Sequence, residues 1–193
     1  MNKIRGMTLI EMIIAIVLMG IAMVAFTSFL VPQLRDSATS HYQTRAAALS
    51  QSFMSQILAR GFDENSDLAG GLIRCGENGV SCTEVNKLGV DEKPDGSREA
   101  TPSDFNDIDD YIGCWSTPTT VSQCQGTNRG NISDILGTSS EDKYRNFRVE
   151  VGVTYDNLTD TPPTGITEYK KVTITIFASN AQPLTLTAIR GNY

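Results

Sequence analysis

Met1-Asn-Lys-Ile-Arg5-Gly6-Met7-Thr8-Leu9-Ile10-Glu11 is followed by an apolar run from Met12 to Val31 in which Gly20, Thr27 and Ser28 are the exceptions. No charged side chain occurs from Met12 to Leu34, a stretch of 23 residues. As a helix this stretch is about 35 Å long, enough to cross the hydrocarbon core of a bilayer. A buried core helix is usually shorter and carries a polar stripe. A cleaved secretory signal has a shorter apolar core and a small-residue cleavage site, and Phe26–Val31 offers no such site. A single-span anchor fits the length, with Lys3 and Arg5 as a positive-inside flank. It leaves Glu11 unexplained. A carboxylate at the membrane centre costs roughly 2.5–3.5 kcal/mol, less near an end, so Glu11 needs a partner within the layer or marks the interface. Cleavage after Gly6 would give Met7 a new amine, which could pair with Glu11 of a neighbouring subunit.

Beyond the run, Pro32 removes a backbone donor and is expected to kink the helix. Tyr42, Ala46, Leu49, Phe53 and Ile57 then recur at helical spacing and form one apolar face. Gly61 is placed to cap the helix end. The expectation is one long helix over 7–60, its transmembrane part about 12–34 and its second half one-sided. His41, near the junction, reads as a helix-surface histidine.

The whole chain has 193 residues and a formal charge of −6. Its mean hydropathy of −0.17 is the average of that apolar segment and a polar remainder. The negative balance argues against a broad nucleic-acid-binding face. Residues 61–114 hold 13 acids and four bases, a local balance of −9, and read as loop-rich. The densest cluster runs from Asp104 to Tyr111. Asp104, Asn106, Asp107, Asp109 and Asp110 offer oxygens of the kind calcium takes, without the spacing of an EF-hand. The competing reading is a set of Asp and Asn turn caps with Phe105, Ile108 and Tyr111 packed inward. No cofactor other than calcium is suggested. With one histidine and no convincing nucleophile–base pair, phosphate loop or metal triad, an enzyme is not expected.

Four cysteines allow three pairings. The local pairs Cys75–Cys82 and Cys114–Cys124 are favoured, each closing a short loop worth roughly 2.5 kcal/mol in the chain-entropy model. Zinc is the rival, at spacings that do not suit it. In the last third, Phe147–Tyr155 alternates, Tyr169–Phe177 alternates, and Leu184–Ile189 makes a shorter strand. Short connections between them imply an antiparallel meander, covered by the helix face from Tyr42 to Ile57. The fold class is therefore α+β, with a globular head over 61–193 comprising an acidic loop region 61–143 and a β-meander 144–193.

Gly6-Met7-Thr8-Leu9-Ile10-Glu11 before a long apolar helix resembles the class III signal of type IV pilins and type II secretion pseudopilins. The resemblance implies a pilin-like fold and a leader, residues 1–6, removed after Gly6 by the prepilin peptidase. It further implies N-methylation at Met7, where phenylalanine is usual, and a subunit-packing role for Glu11. Arg60–Asn65, Gly71–Cys75, Phe105–Tyr111 with Gly113, Tyr144–Val149 and Ala188–Tyr193 are similar to the MshD-like minor pilins of the mannose-sensitive haemagglutinin (MSHA) pilus system. The Trp115–Gln123 loop looks like an insertion relative to them. That resemblance implies a minor pilin working in pilus assembly and surface attachment. Its partners would be the prepilin peptidase, other pilin subunits and the assembly machinery. It would lie in the bacterial inner membrane with its head outside the cytoplasm, then in a surface pilus. A secretion pseudopilin is the alternative within the superfamily. A membrane-anchored calcium-dependent adhesin is the alternative outside it.

Overall fold

The computed structural model describes residues 7–66, 73–93, 95–137 and 142–193, with the side chains of 35–38 excepted. Helix α1 spans Leu9–Leu58 with Pro32 inside it. The chain divides into two compact units, one ending at His41 and the other running Tyr42–Tyr193.

In the first unit the side chains of α1 from Leu9 to Leu34 are all exposed. Leu9 is 81 % exposed and Met19 74 %. The side chains polar by nature turn back on the helix itself. Thr27 Oγ1 donates to the carbonyls of Met23 and Val24, and Ser28 Oγ donates to that of Ala25. Such back-bonding hides hydroxyls from an apolar surrounding.

In the second unit, α1 buries the expected face: Ala46, Leu49, Phe53 and Ile57, joined by Met54, with Tyr42 half-buried. The helix stops at Leu58, and Gly61 is not its left-handed cap. Gly61 instead pairs as a single parallel bridge with Asp107, donating to Asn106 O at 3.0 Å and accepting from the Ile108 amide at 3.1 Å. This bridge ties the exit of the helix to the acidic segment.

The sheet has five strands in the order β2-β1-β3-β4-β5: β1 Gly113–Ser116, β2 Asn128–Asn131, β3 Phe147–Asp156, β4 Tyr169–Ala178 and β5 Leu184–Gly191. The last three form the expected meander, with Phe147 opposite Ala178 and Tyr169 opposite Gly191. The edge differs from a purely antiparallel head: β1 pairs β3 antiparallel, but β2 lies parallel to β1. The Cys114–Cys124 disulfide closes the loop that leaves β1, and the chain re-enters beside it in the same direction. Gly113 and Gly130 permit the close approach. A Cβ on Gly113 would stand 2.8 Å from Thr127 O, and one on Gly130 3.0 Å from the Trp115 ring. The described residues between 61 and 143 include two strands and the helix α2, Ile132–Leu136. Asn131 caps α2 by accepting from Ser133 N, while Asp134 accepts from Asn131 N at 2.7 Å.

The core lies between the inward face of the sheet (Val149, Val151, Val153, Val172, Ile174, Ile176) and the helix face, with Trp115, Phe105 and Tyr111 at one end. Trp115 meets Phe53 and Phe105 edge-on and donates its indole N–H to Tyr111 O at 3.0 Å. A smaller cluster joins Phe62, Tyr155 and the Cys75–Cys82 disulfide. Both expected local disulfides are present, and the sulfurs are therefore spent: the zinc alternative is excluded.

Candidate functional site

At the start of α1, the Thr8 amide donates to Glu11 Oε2 and the Glu11 amide donates to Thr8 Oγ1, each at 3.4 Å. This reciprocal pair satisfies two backbone donors that a helix start leaves open. Glu11 thus has a local task, holding the first turn, beside any intermolecular one. Met7 is 70 % exposed. Gly6 lies outside the described residues. Around and beyond Glu11 the side chains are apolar and uncovered, which is the chemistry of a surface made for lipid or for other helices.

The five acidic-segment residues offered for calcium do not act together. Asp104 is on the outside: its Oδ1 pairs with Lys93 at 2.8 Å and its Oδ2 accepts from Ala100 N, Thr101 N and Thr101 Oγ1. Lys93 and these donors hold its carboxyl down at about 2. Asp107 Oδ1 caps a 3-10 turn at Asp109–Tyr111 by accepting from Asp109 N and Asp110 N. Asp109 turns the other way, toward Lys170.

Lys170 is fully buried and fully engaged. Its ammonium donates to Phe62 O at 2.7 Å, Asp63 Oδ2 at 3.2 Å and Asp109 Oδ1 at 2.5 Å. The Phe62 and Tyr155 rings stand 4.8 and 5.4 Å away. Burial lowers the Lys170 pKa, but Asp109 and Asp107 outweigh it and leave it raised. Burial likewise pushes Asp63 up, and Lys170 with the amides of Thr83 and Asn65 brings it below its ordinary value. For Asp109 burial wins over Lys170 and the pKa is raised. Burial, then Asp109 and Asp110, pushes the Asp107 carboxyl well above its ordinary value. One lysine therefore faces two of these three aspartates, Asp63 and Asp109, and its single charge does not balance both. Asp63 also lies near Cys75 and Cys82, but with the sulfurs bonded to each other this group is no metal centre.

In a second set of carboxyls, no lysine or arginine among the described residues makes an ion pair. The Glu99 and Asp110 side chains are within hydrogen-bonding reach of each other, as are those of Asp91 and Glu64. Burial, then Asp110, pushes Glu99 up to about 8; burial, then Glu64, pushes Asp91 up to about 7. Arg129 is close, yet it donates to the main chain: Nε to Asp110 O at 3.1 Å and an Nη to Glu99 O at 2.9 Å.

Sequence reasoning did not single out Lys170, Asp63 or Glu99, which the fold buries. The one available signal was parity: Lys170 falls on the inward register of Val172, Ile174 and Ile176.

Comparison with known proteins agrees with the N-terminal geometry. Residues 1–27 match the family model described as the prokaryotic N-terminal methylation motif. No curated protein and no solved structure matches the chain. The motif indicates a type IV pilin-like or pseudopilin protein. It is the cleavage site of the prepilin peptidase, so it implies processing and assembly as a structural subunit. The apolar helix fits a membrane-anchored pilin.

Proposed function

We propose that the chain is a minor pilin of an MSHA-type type IV pilus, acting in pilus assembly and surface attachment. The observation that carries the assembly role is the methylation motif running without a break into an apolar helix with no covering partner in its own chain. Such a helix is stable in lipid before assembly and in a bundle of like helices after it. Both surroundings cover apolar side chains and leave only Glu11 to be neutralised. The Met7 amine of an adjacent subunit, freed by cleavage after Gly6, supplies the counter-charge. The MSHA-type assignment is supported by the downstream motifs, from Arg60–Asn65 to Ala188–Tyr193.

Intact mass tests the processing. The expected product lacks Met1–Gly6 and carries one added methyl at Met7; a full-length, unmethylated chain overturns the reading. Glu11→Ala is expected to stay in the membrane fraction but to drop out of sheared filaments by at least tenfold. Filament incorporation equal to the parent would refute the pairing with Met7. The motif is shared with secretion pseudopilins. Filaments lost on deletion of secretion genes but kept on deletion of pilus genes would move the chain to that system.

A further inference from the structure

Lys170, Asp63, Asp107 and Asp109 are all fully buried, and the lysine nitrogen touches two of the carboxyls. The two are held differently. Asp63 has donors besides the lysine: its Oδ1 accepts from Asn65 N and Nδ2, each at 3.1 Å, and its Oδ2 accepts from Thr83 N at 2.9 Å. Asp109 accepts from Gly89 N at 3.1 Å on Oδ2 and from Lys170 at 2.5 Å on Oδ1. The Asp107 side chain is within hydrogen-bonding reach of that of Asp109. Its Oδ1 takes the amides of Asp109 and Asp110, and its Oδ2 has no hydrogen-bond partner. Buried polar atoms are nearly always paired, and burial favours a proton on such an oxygen over a charge. One amine, one carboxyl in contact with it, a second carboxyl held by other donors and a third that favours its acid form thus meet away from solvent.

An amine and a carboxyl do not condense in water, where both stay charged and solvated and meet only in passing. Burial changes each of these conditions. It raises the free energy of the charged pair relative to amine and acid, which differ from it by one proton transfer. It holds the reacting groups in contact, so that no encounter is needed. The Phe62 and Tyr155 rings, 4.8 and 5.4 Å from the lysine nitrogen, wall the site from solvent. Desolvation of this kind also makes a lysine amine a nucleophile.

We propose that Lys170 and Asp109 become joined by an intramolecular amide (isopeptide) bond, formed by the folded head itself. The ammonium carries its proton at rest, so the reaction starts with transfer of one proton from Nζ to Asp63 Oδ2. Asp107 passes its proton to the Asp109 carboxylate and makes it a neutral acid. The Nζ lone pair then attacks Asp109 Cγ, and the C–N bond forms. A hydroxyl leaves the tetrahedral carbon with the proton from Asp63 as water, and the second proton shed by the nitrogen restores Asp107. The sum is one ammonium and one carboxylate turned into one amide and one water, with Asp63 and Asp107 unchanged. No oxidant, cofactor or second chain takes part. The new amide keeps one N–H, for which Phe62 O is already the acceptor. The bond would fix β4 to the 3-10 turn at Asp109–Tyr111. Until it forms, the four residues are the ion-paired cluster described above and titrate as such. This inference does not rest on the pilin reading, and an unprocessed N-terminus would leave it standing.

The test is peptide mapping of the full chain, purified in detergent and reduced before digestion with trypsin. The parent is expected to give the Asp109 and Lys170 peptides as one linked pair, at the sum of their masses less one water, with no cut after Lys170. Reduction opens both disulfides, so this link should be the one that survives it. Asp109→Asn is expected to give the same amide, with ammonia leaving in place of water. Asp107→Asn is expected to lower the linked fraction at least tenfold while far-ultraviolet circular dichroism keeps the parent's signal. A folded parent that trypsin cuts after Lys170, with both peptides free, overturns the proposal. So does a link from Lys170 to Asp63, or a linked fraction undiminished in Asp107→Asn.

Discussion

Lys170 holds three segments of the head at one atom: the exit of α1 through Phe62 O and Asp63, the acidic turn through Asp109, and its own strand β4. Replacing it with methionine keeps the bulk but leaves Asp63 and Asp109 buried without a counter-charge. Lys170→Met is expected to cost about 3–5 kcal/mol, read by denaturant unfolding. The same cluster sets a pH window. Asp63 has a lowered pKa, so its share of stability is complete above its ordinary 3.8 and is lost as the pH falls through its folded value. Lys170 has a raised pKa, so its share is complete below its ordinary 10.5 and is lost as the pH climbs through its folded value. In Lys170→Met the alkaline loss should vanish. The cluster was hard to see in the sequence because its partners lie 107 and 61 residues from Lys170. Alternation places Lys170 inward, yet a lysine at the first turn of a strand reads as its exposed end. Only the fold brings Asp63 and Asp109 to it.

The elements divide by length in how openly the sequence announces them. Helix α1 carries a repeat that is written many times over, and β3 and β4 each alternate for ten residues. β1 and β2 have four residues apiece, too few for a period to emerge, and β2 reads Asn-Arg-Gly-Asn with no apolar residue at all. What makes β2 a strand is its neighbour, β1, and the loop that returns it there. Removing both sulfurs, as Cys114→Ala with Cys124→Ala, frees that loop of its cross-link. The expected cost is about 2.5–3 kcal/mol by urea unfolding. Hydrogen exchange should rise first in Asn128–Asn131, while β3–β5 keep their protection. Gly61 shows the reverse case. Its position past an amphipathic helix suggests a cap, but the parallel bridge to Asp107 claims its amide and carbonyl instead.

At the scale of the molecule the sequence's two compositions become two different tasks. The apolar segment leaves its side chains uncovered within the chain, whereas the acidic remainder folds around a core of its own. The proposed cleavage after Gly6 would remove Lys3 and Arg5, leaving 14 bases against 22 acids. The head is therefore anionic, and the apolar segment from Met12 to Leu34 is uncharged. Within that body the acids are not all surface: Asp63, Glu99, Asp107, Asp109 and Asp110 are buried, a fact composition cannot reveal because it counts charges without their surroundings.

Both cross-links are local, and this shapes how the head would come apart. Cys75–Cys82 closes before Lys87, and Cys114–Cys124 closes after it. Lys87 has a side chain 68 % exposed, open to a protease such as trypsin. A chain nicked there has no covalent link between its two pieces, yet the Lys170 cluster and the Gly61–Asp107 bridge join them. The nicked protein should elute from a sizing column as the intact one does. In detergent denaturant it should separate into two fragments without any reducing agent.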